Sequence, residues 1–187
     1  MGDSMKIKQL FLCTLSIGLA GSALADQTYV LKKKNKIHFV SKITGGSFDS
    51  NSSSAQGSLT MADAGQKVIS ASITVPVKSL DTGLSMRNDH MQKKYLEVAK
   101  FPDITFNIEG ASIDLKPETT VRGNFSIHGV QKQVEVPVTT STDEKTVSIK
   151  SQFPINILDY GIEQPKFAVV KMEPEVQLNI ELSFEKK

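Results

Sequence analysis

In the C-terminal stretch VQLNIELSF (residues 176–184), apolar and polar residues alternate with a period of two. Successive side chains of a β-strand point to opposite faces of a sheet, so this strand has one apolar face and one polar face. Such a strand fits an antiparallel sheet that buries only one side. The stretch therefore predicts an antiparallel barrel or sandwich rather than a parallel α/β sheet.

Nine further stretches carry the same signal at different strengths. The alternation is clear at residues 68–77, 104–108, 121–128 and 134–138. It is weaker at residues 37–43, 57–61, 113–115, 146–150 and 153–157. The serine-rich residues 47–58 are predicted to form a loop or a flexible hairpin. So many short alternating stretches in one chain are typical of a mainly β domain.

One segment departs from the strand pattern. Between residues 84 and 99 the apolar residues recur at helical spacing; they are Leu84, Met91, Tyr95 and Val98. Asp81 or Ser85 is the candidate N-cap of this helix, and Pro102 prevents its continuation. One short helix among many strands usually covers the end of a barrel, so we predict one short helix near residues 84–99 in that role.

The first 25 residues have the pattern of a secretory signal peptide. Lys6 and Lys8 precede an apolar stretch at residues 10–20, and a small-residue cleavage site ends at Ala25. The apolar stretch is too short for a transmembrane helix, so no stable membrane insertion is expected after cleavage. Cleavage would leave residues 26–187 as a single exported domain.

Composition and motifs exclude several classes of function. The chain has 187 residues and a formal net charge of +2, whereas a dedicated nucleic-acid binder has a clear basic excess. His38, His90 and His128 lie on separate elements, so no metal site is expected. The sequence has no P-loop, no dinucleotide fingerprint and no G-x-S-x-G elbow, so we expect no cofactor and no enzymatic activity. A small exported enzyme acting on an amphiphile stays the least favoured alternative.

Residues 87–90 form the densest polar cluster of the helical segment. Arg87 and His90 at the mouth of a barrel are suited to hold a polar head group through charge-assisted hydrogen bonds. Alternatively, Arg87 pairs with a nearby carboxylate and fixes the helix onto the barrel, which local chemistry alone favours. The residues themselves leave both interpretations open.

The apolar faces of the strands supply candidates for a ligand-binding interior. A closed barrel of about eight strands is just wide enough to be filled by side chains or to hold one small ligand. The predicted lining residues are Phe39, Ile73, Val75, Phe106, Ile108, Phe125, Ile127, Phe153, Ile155, Ile180 and Leu182. Periodicity does not distinguish a hollow barrel from a filled one, so some of these residues belong to an ordinary core.

Three segments carry a family resemblance. They are residues 79–106, with RNDH at residues 87–90 and FPDITF at residues 101–106; residues 121–134, with NFSIHGV; and DYGI at residues 159–162. In motif, order and spacing they resemble the YceI-like family of exported lipid-binding proteins. The resemblance implies an extended antiparallel lipocalin-like barrel of about eight strands, with an apolar tunnel for an isoprenoid or another amphiphile. It also implies periplasmic location or secretion, no catalysis, and a place for Arg87 and His90 near the tunnel mouth.

Two departures from the family pattern concern the choice of ligand. Many members have an arginine two residues before the aspartate of the third motif, but here Ile157-Leu158 precede Asp159. An early H-x-x-G region is replaced by residues 41–46. These changes leave the predicted fold intact, but they weaken the transfer of one member's ligand to this chain.

The leading hypothesis is therefore a periplasmic or secreted carrier or store for a long apolar chain, such as a polyisoprenoid, a quinone or a fatty-acid derivative. Burial of the chain would supply affinity, and polar groups at the mouth would restrict the head group. The alternative is an exported barrel with a filled core that acts as a protein or envelope interaction module. A homodimer is compatible with either function.

Overall fold

The computed structural model describes residues 25–62 and 66–187. The predicted signal peptide therefore lies outside the described residues, except for Ala25. The strands of the described part are β1 (Gln27–Leu31), β2 (Lys36–Ile43), β3 (Gly46–Ser52), β4 (Gln56–Ala62), β5 (Lys67–Pro76), β6 (Asp103–Ile108), β7 (Ile113–Asp114), β8 (Glu118–Ile127), β9 (Val130–Thr142), β10 (Thr146–Asn156), β11 (Lys166–Phe167) and β12 (Val170–Lys186). All ten stretches predicted from alternation overlap strands, and four of them (68–77, 113–115, 121–128 and 153–157) extend one residue past the strand end.

Eight strands close into an antiparallel barrel in the order β1-β4-β5-β6-β8-β9-β10-β12. The closing seam is the pairing of β1 with β12, in which residues 29–31 lie opposite residues 186–184. The predicted mainly β barrel of about eight strands is thus confirmed. Closure pairs the first strand with the last, which reduces the free strand edges that would otherwise be sites for aggregation.

The wall continues beyond the seam because β12 is much longer than β1. Residues 176–181 of β12 pair with β2, and β2 forms a hairpin with β3. The far edge of β3 is held by two backbone hydrogen bonds between Asn51 and Asp81, of 2.9 and 2.8 Å. We call the end of the barrel at the β2–β3 turn the upper end.

The other end of the barrel, at the seam, is filled by side chains. Met61, Val147 and Phe184 are completely buried, and Leu59 is only 1% exposed. Phe184 lies directly opposite Val147 on one side and Leu31 on the other. The lower end is therefore a packed hydrophobic core.

Two prolines mark a split between β9 and β10. The two strands pair only up to Val138 and Ser151, and Pro137 and Pro154 lie beyond that point. The lack of an N–H group at these two prolines therefore breaks no backbone hydrogen bond between β9 and β10. Residues 146–150 and 153–157, expected as two strands, largely form the single strand β10, because the inward-facing Ser151 interrupts the apolar alternation but not the strand.

A 3-10 turn at Ile157–Tyr160 lies beside this split. The Tyr160 ring meets the Phe125 ring edge-on with 5.6 Å between centroids. Burial raises the pKa of the Tyr160 hydroxyl, and the neighbouring Asp159 carboxylate adds to the shift. The turn thus places an aromatic side chain against the barrel interior where the strands separate.

Residues 47–58 are a correction to the sequence prediction of a loop or flexible hairpin. They contain most of β3 and the start of β4, which pair with different neighbours. Ser50 and Ser52 point inward and are buried, so the expected apolar alternation is absent although the strand is present. The short strands β1 and β11 were likewise not predicted.

The helical segment is shorter than predicted and changes its winding. Helix α1 (Ser85–Asp89) is followed by a π-helical turn at His90–Tyr95, in which the Leu96 N–H donates to the Met91 carbonyl at 2.8 Å. Leu84 occupies the N-cap position and provides no side-chain cap, so neither Asp81 nor Ser85 caps the helix. The helical segment lies at the upper end of the barrel, as predicted for a helix that covers a barrel end.

A clip ties the end of this segment to the β8–β9 turn. His128 Nε2 is 2.9 Å from Glu97 Oε2, and His128 Nδ1 is 3.3 Å from the Tyr160 carbonyl oxygen. The Phe101 ring packs edge-on against the His128 ring at 4.9 Å. Glu97 and His128 both have a left-handed backbone, with φ of 44° and 55°. Surrounding contacts must therefore maintain this strained arrangement.

The clip predicts a pH-dependent contribution to stability. Hydrogen bonds from Lys100 and then His128 hold the pKa of the Glu97 carboxyl below its ordinary value. The contribution is therefore complete above about pH 4.3, the usual value for glutamate in an unfolded chain, and is lost as the pH falls through the lowered folded value. We expect Glu97→Gln to have a lower Tm than the parent at pH 7, with the difference closing toward pH 3. A Tm difference that stays constant over that range would contradict this assignment.

Two strand glycines provide a matched test of packing. A Cβ on Gly57 would lie 2.2 Å from the Ser72 carbonyl oxygen, which is backbone and has no flexible end to move. A Cβ on Gly46 would meet nothing within 4 Å. We expect Gly57→Ala to reduce the free energy of unfolding by about 1–3 kcal/mol and Gly46→Ala to change it by less than about 0.5 kcal/mol, as measured by urea denaturation. Equal effects would show that β4 and β5 do not approach as closely as described.

Candidate ligand-binding chambers

An apolar cavity of about 620 Å³ opens at the upper end of the barrel. Strands β2 and β3 form one wall, and the helical segment, the turn after β10 and the start of β12 form the others. Its apolar lining includes Phe39, Ile43, Phe48, Leu80, Leu84, Met86, Met91, Tyr95, Leu96, Ile104, Ile127, Ile155, Ile157, Ile162, Met172 and Val176. We call this cavity the upper chamber.

A smaller cavity of about 120 Å³ lies inside the barrel proper. Its walls are almost wholly apolar and come from β2, β4 to β10 and β12. Phe39 and Ile104 line both cavities, so the lower chamber adjoins the upper one at these two side chains. Together they form a hollow that begins at the upper end and stops at the packed core near the seam.

The eleven lining residues predicted from alternation all lie on the walls of these chambers. Nine line the lower chamber: Phe39, Ile73, Val75, Phe106, Ile108, Phe125, Phe153, Ile180 and Leu182. Ile127 and Ile155 line the upper chamber. Their contact with a ligand stays a prediction. The alternative of a wholly filled barrel does not hold for the described residues, because only the seam end is filled.

Arg87 lies on the wall of the upper chamber, where it stacks on an aromatic ring. Its guanidinium carbon is 4.4 Å from the centre of the Phe48 ring, and its Nε donates to Thr82 Oγ1 at 3.2 Å. Among the described residues it forms no ion pair with a carboxylate, so the interpretation of Arg87 as half of a salt bridge is wrong. The Phe48 ring supplies a cation–π contact and leaves the other N–H groups of the guanidinium available.

A hydrogen-bond network fixes the start of helix α1 beside Arg87. Asn88 Oδ1 accepts from the Thr82 N–H at 2.8 Å and from Thr82 Oγ1 at 2.7 Å, while Asn88 Nδ2 donates to Asp81 Oδ1 at 2.7 Å. The Asn88 amide and the Gly83 N–H lower the pKa of the Asp81 carboxyl. Asn88 thus holds Thr82 in place, and Thr82 Oγ1 accepts a hydrogen bond from Arg87 Nε, which orients the guanidinium.

The opening of the upper chamber combines polar and apolar side chains. His90 and Lys166 line it, and the Lys166 N–H donates to Tyr95 Oη at 3.2 Å, which joins the helical segment to β11. Leu84 and Met86 at the start of the helix are 57% and 71% exposed. A ligand entering here would first pass a mixed surface that suits both a polar head and an apolar chain.

Sequence reasoning missed several chamber residues. Phe48 and Ser50 fall in the segment expected to be a loop, and Ser41 is a polar residue at an inward-facing position of β2. Met172 precedes the clearest part of the last alternating stretch. An inward serine carries no alternation signal, so only pairing with a neighbouring strand reveals such positions.

Two other kinds of site are absent from the described residues. Within 25–62 and 66–187, no group of three or more His, Cys, Asp or Glu side chains lies close enough together to hold a metal ion. In the same ranges, no helix is long and apolar enough to span a membrane. The two chambers are therefore the features from which we derive a function.

Comparison with known proteins gives a family and a set of similar folds. A family model described as YceI-like domain matches residues 29–184. No curated protein matches the chain. The chain is similar to Burkholderia cenocepacia BcnA, with 24% identity and a TM-score of 0.68 over 80% of this chain and 95% of that one.

Two other solved structures have the same fold. A polyisoprenoid binding domain from Saccharophagus degradans, implicated in plant cell wall breakdown, is 18% identical with a TM-score of 0.70, covering 85% of this chain and 98% of that one. The Campylobacter jejuni YCEI protein is 19% identical with a TM-score of 0.60, covering 74% and 84%. At these identities the similarity concerns the fold.

Proposed function

This chain belongs to the YceI-like domain family, and from that membership and its two adjoining apolar chambers we propose that it is a non-catalytic carrier or store for a long-chain amphiphile. The polyisoprenoid-binding domain among its structural neighbours supports an isoprenoid or a similar lipid as the ligand class. The N-terminal sequence supports export to the periplasm or secretion.

The observation that carries this proposal is the upper chamber. Its volume of about 620 Å³ falls within the usual range of ligand pockets, and most of its lining side chains are apolar. Apolar surface removed from water contributes roughly 25 cal/mol per Å², so a long hydrocarbon chain gains affinity without any directed bond. No chemical step is part of the proposal.

The distribution of polar groups gives the ligand a direction. Arg87, His90 and Lys166 lie on the upper chamber, whereas no charged side chain from residues 25–62 or 66–187 lines the lower chamber. A charged head group in the lower chamber would lose its hydration without a partner. We therefore propose that the chain of the ligand points toward the lower chamber and its head lies near Arg87.

Mass spectrometry of an organic extract tests the carrier function. The full chain is expressed with its own N-terminus and purified from the periplasm, and a sample denatured before lipid exposure serves as the control. We expect one class of isoprenoid or related lipid in near-stoichiometric amount. A clean extract, together with failure of added prenyl lipids to bind, would refute the carrier function.

Export is tested by the mass of the same preparation. If residues 1–25 are removed as proposed, the intact periplasmic protein begins at Asp26 and contains no cysteine, because Cys13 is the one cysteine of the chain. Intact mass and reaction with a thiol reagent measure both properties. Recovery of the unprocessed, thiol-reactive chain in the cytoplasm alone would overturn the proposed location.

A further inference from the structure

A buried hydroxyl without a partner lies on the wall of the upper chamber. Ser50 on β3 is 3% exposed, and its Oγ has no hydrogen-bond partner among the described residues. Buried polar atoms are almost always hydrogen-bonded, so each exception needs an explanation. Because this one faces a cavity of ligand size, a ligand atom is the natural partner.

The next inward-facing residue of the same strand shows the contrast. Ser52 Oγ lies 2.7 Å from Ser79 Oγ and accepts the Ser54 N–H at 3.2 Å. That hydroxyl is satisfied within the protein, and Ser52 does not line either chamber. The protein therefore supplies hydrogen-bond partners for the Ser52 hydroxyl but leaves the Ser50 hydroxyl unpaired, where β3 faces the upper chamber.

The depth of Ser50 defines which part of a ligand reaches it. Ser50 lies opposite Phe39, the side chain that borders both chambers. Phe48, which carries the Arg87 guanidinium on its ring, is two residues closer to the β2–β3 turn. A ligand group at Ser50 therefore lies deeper in the upper chamber than Arg87, near the junction of the two chambers.

The surroundings restrict the chemistry of that group. Ser41 is the diagonal neighbour of Ser50 on β2 and is also buried on the same wall, whereas Phe39 and Phe48 supply aromatic surface. A serine hydroxyl both donates and accepts, and no ionised group of the described residues is bonded to it. A neutral oxygen can satisfy it, whereas an ionised group is better placed at the level of Arg87, because none of the described lining residues of β2 and β3 beside Ser50 is charged.

We propose that Ser50 is a hydrogen-bonding subsite for a neutral oxygen (hydroxyl, carbonyl or ether) of an otherwise apolar ligand. The ligand class is then an oxygenated isoprenoid or similar lipid, and a pure hydrocarbon of the same length binds less well. This proposal rests on the proposed carrier function, since it names the substrate class of the same chambers.

A matched pair of probes tests the subsite. Dihydrophytol and phytane share one branched C20 skeleton and differ by a single hydroxyl. Each is titrated against the delipidated full chain carrying a displaceable fluorescent lipid, for the parent protein, Ser50→Ala and the control Ser52→Ala. We expect Ser50→Ala to lose about three- to tenfold in affinity for dihydrophytol and to bind phytane as the parent does. Ser52→Ala should retain the parental preference between the two probes.

The outcomes separate the subsite from the carrier function. If both probes bind and Ser50→Ala changes neither affinity, the subsite is refuted while the carrier function stands. If neither probe binds the parent, the carrier function fails and the subsite fails with it. If Ser50→Ala weakens both probes equally, the hydroxyl acts through the shape of the wall and the subsite is also refuted.

Thermal unfolding of the ligand-free variants gives an independent readout. Removing an unpartnered buried hydroxyl should leave the Tm unchanged or raise it, because no internal hydrogen bond is lost. Ser52→Ala should lower the Tm, because it breaks the contact with Ser79. A Tm loss for Ser50→Ala as large as that for Ser52→Ala would show that the Ser50 hydroxyl is already paired within the protein, and would overturn the proposal.

Discussion

Phe184→Ala is expected to lower the free energy of unfolding by about 3–5 kcal/mol, the usual cost of truncating a fully buried phenylalanine. The Phe184 ring is completely buried and lies between Leu31 of β1 and Val147 of β10, next to the closing seam. Truncation leaves a cavity at the one end of the barrel where side chains fill the interior. For a domain of this size the Tm should fall by roughly 6–20 °C.

The control for this variant is Val30→Ala on the same seam. Val30 is 44% exposed and lies opposite Glu185, so its truncation should cost less than about 1 kcal/mol. Chemical denaturation of both variants measures the difference. If the two substitutions cost the same, the packed core does not extend to the seam as described.

Ile104→Trp is expected to weaken binding of long-chain isoprenoids by more than about tenfold. Ile104 is buried and borders both chambers, so an indole at this position would fill the space where the two chambers adjoin. Burial of each methylene contributes about 0.8 kcal/mol, and exclusion of only two chain carbons therefore costs roughly fifteenfold in affinity. A probe short enough to be held in the upper chamber alone should lose much less.

Two variants control for effects other than obstruction. Ile104→Val keeps the passage open, and Asn107→Trp places an indole on the same strand but on neither chamber wall. Both should bind the long probe within about threefold of the parent. All variants are first compared by circular dichroism and Tm to confirm folding. Equal loss of the short and long probes in Ile104→Trp would contradict the connection between the chambers.

Much of the barrel can be predicted from the sequence, because strands that bury one face alternate apolar and polar residues. That reasoning places Phe125, Ile180 and the other predicted lining residues correctly on the chamber walls. It fails at β3, where Ser50 and Ser52 face inward and no apolar period exists to be detected. It also divides β10 in two at residues 151–152, because the polar Ser151 stands at an inward-facing position there.

The extent of the hollow could not be predicted, because hollow and filled barrels share the same alternation. The distinction depends on which inward side chains meet across the barrel. Around the seam Met61, Val147 and Phe184 converge and fill the interior. At the upper end the β2–β3 hairpin, the helical segment and the start of β12 surround the upper chamber, so the same kinds of side chain line an open space.

The brevity of the closing seam has a mechanical consequence. Three residue pairs join β1 to β12, flanked by one backbone hydrogen bond at each end, and because the strands are antiparallel, Tyr29 lies beside Lys186. Tension applied through the two ends of the described chain therefore acts on the same end of this ladder. The hydrogen bonds would be loaded one after another, as in a zipper, and not together in shear. The barrel should thus open under a small pulling force, beginning at the seam, although Phe184 beside the seam is completely buried.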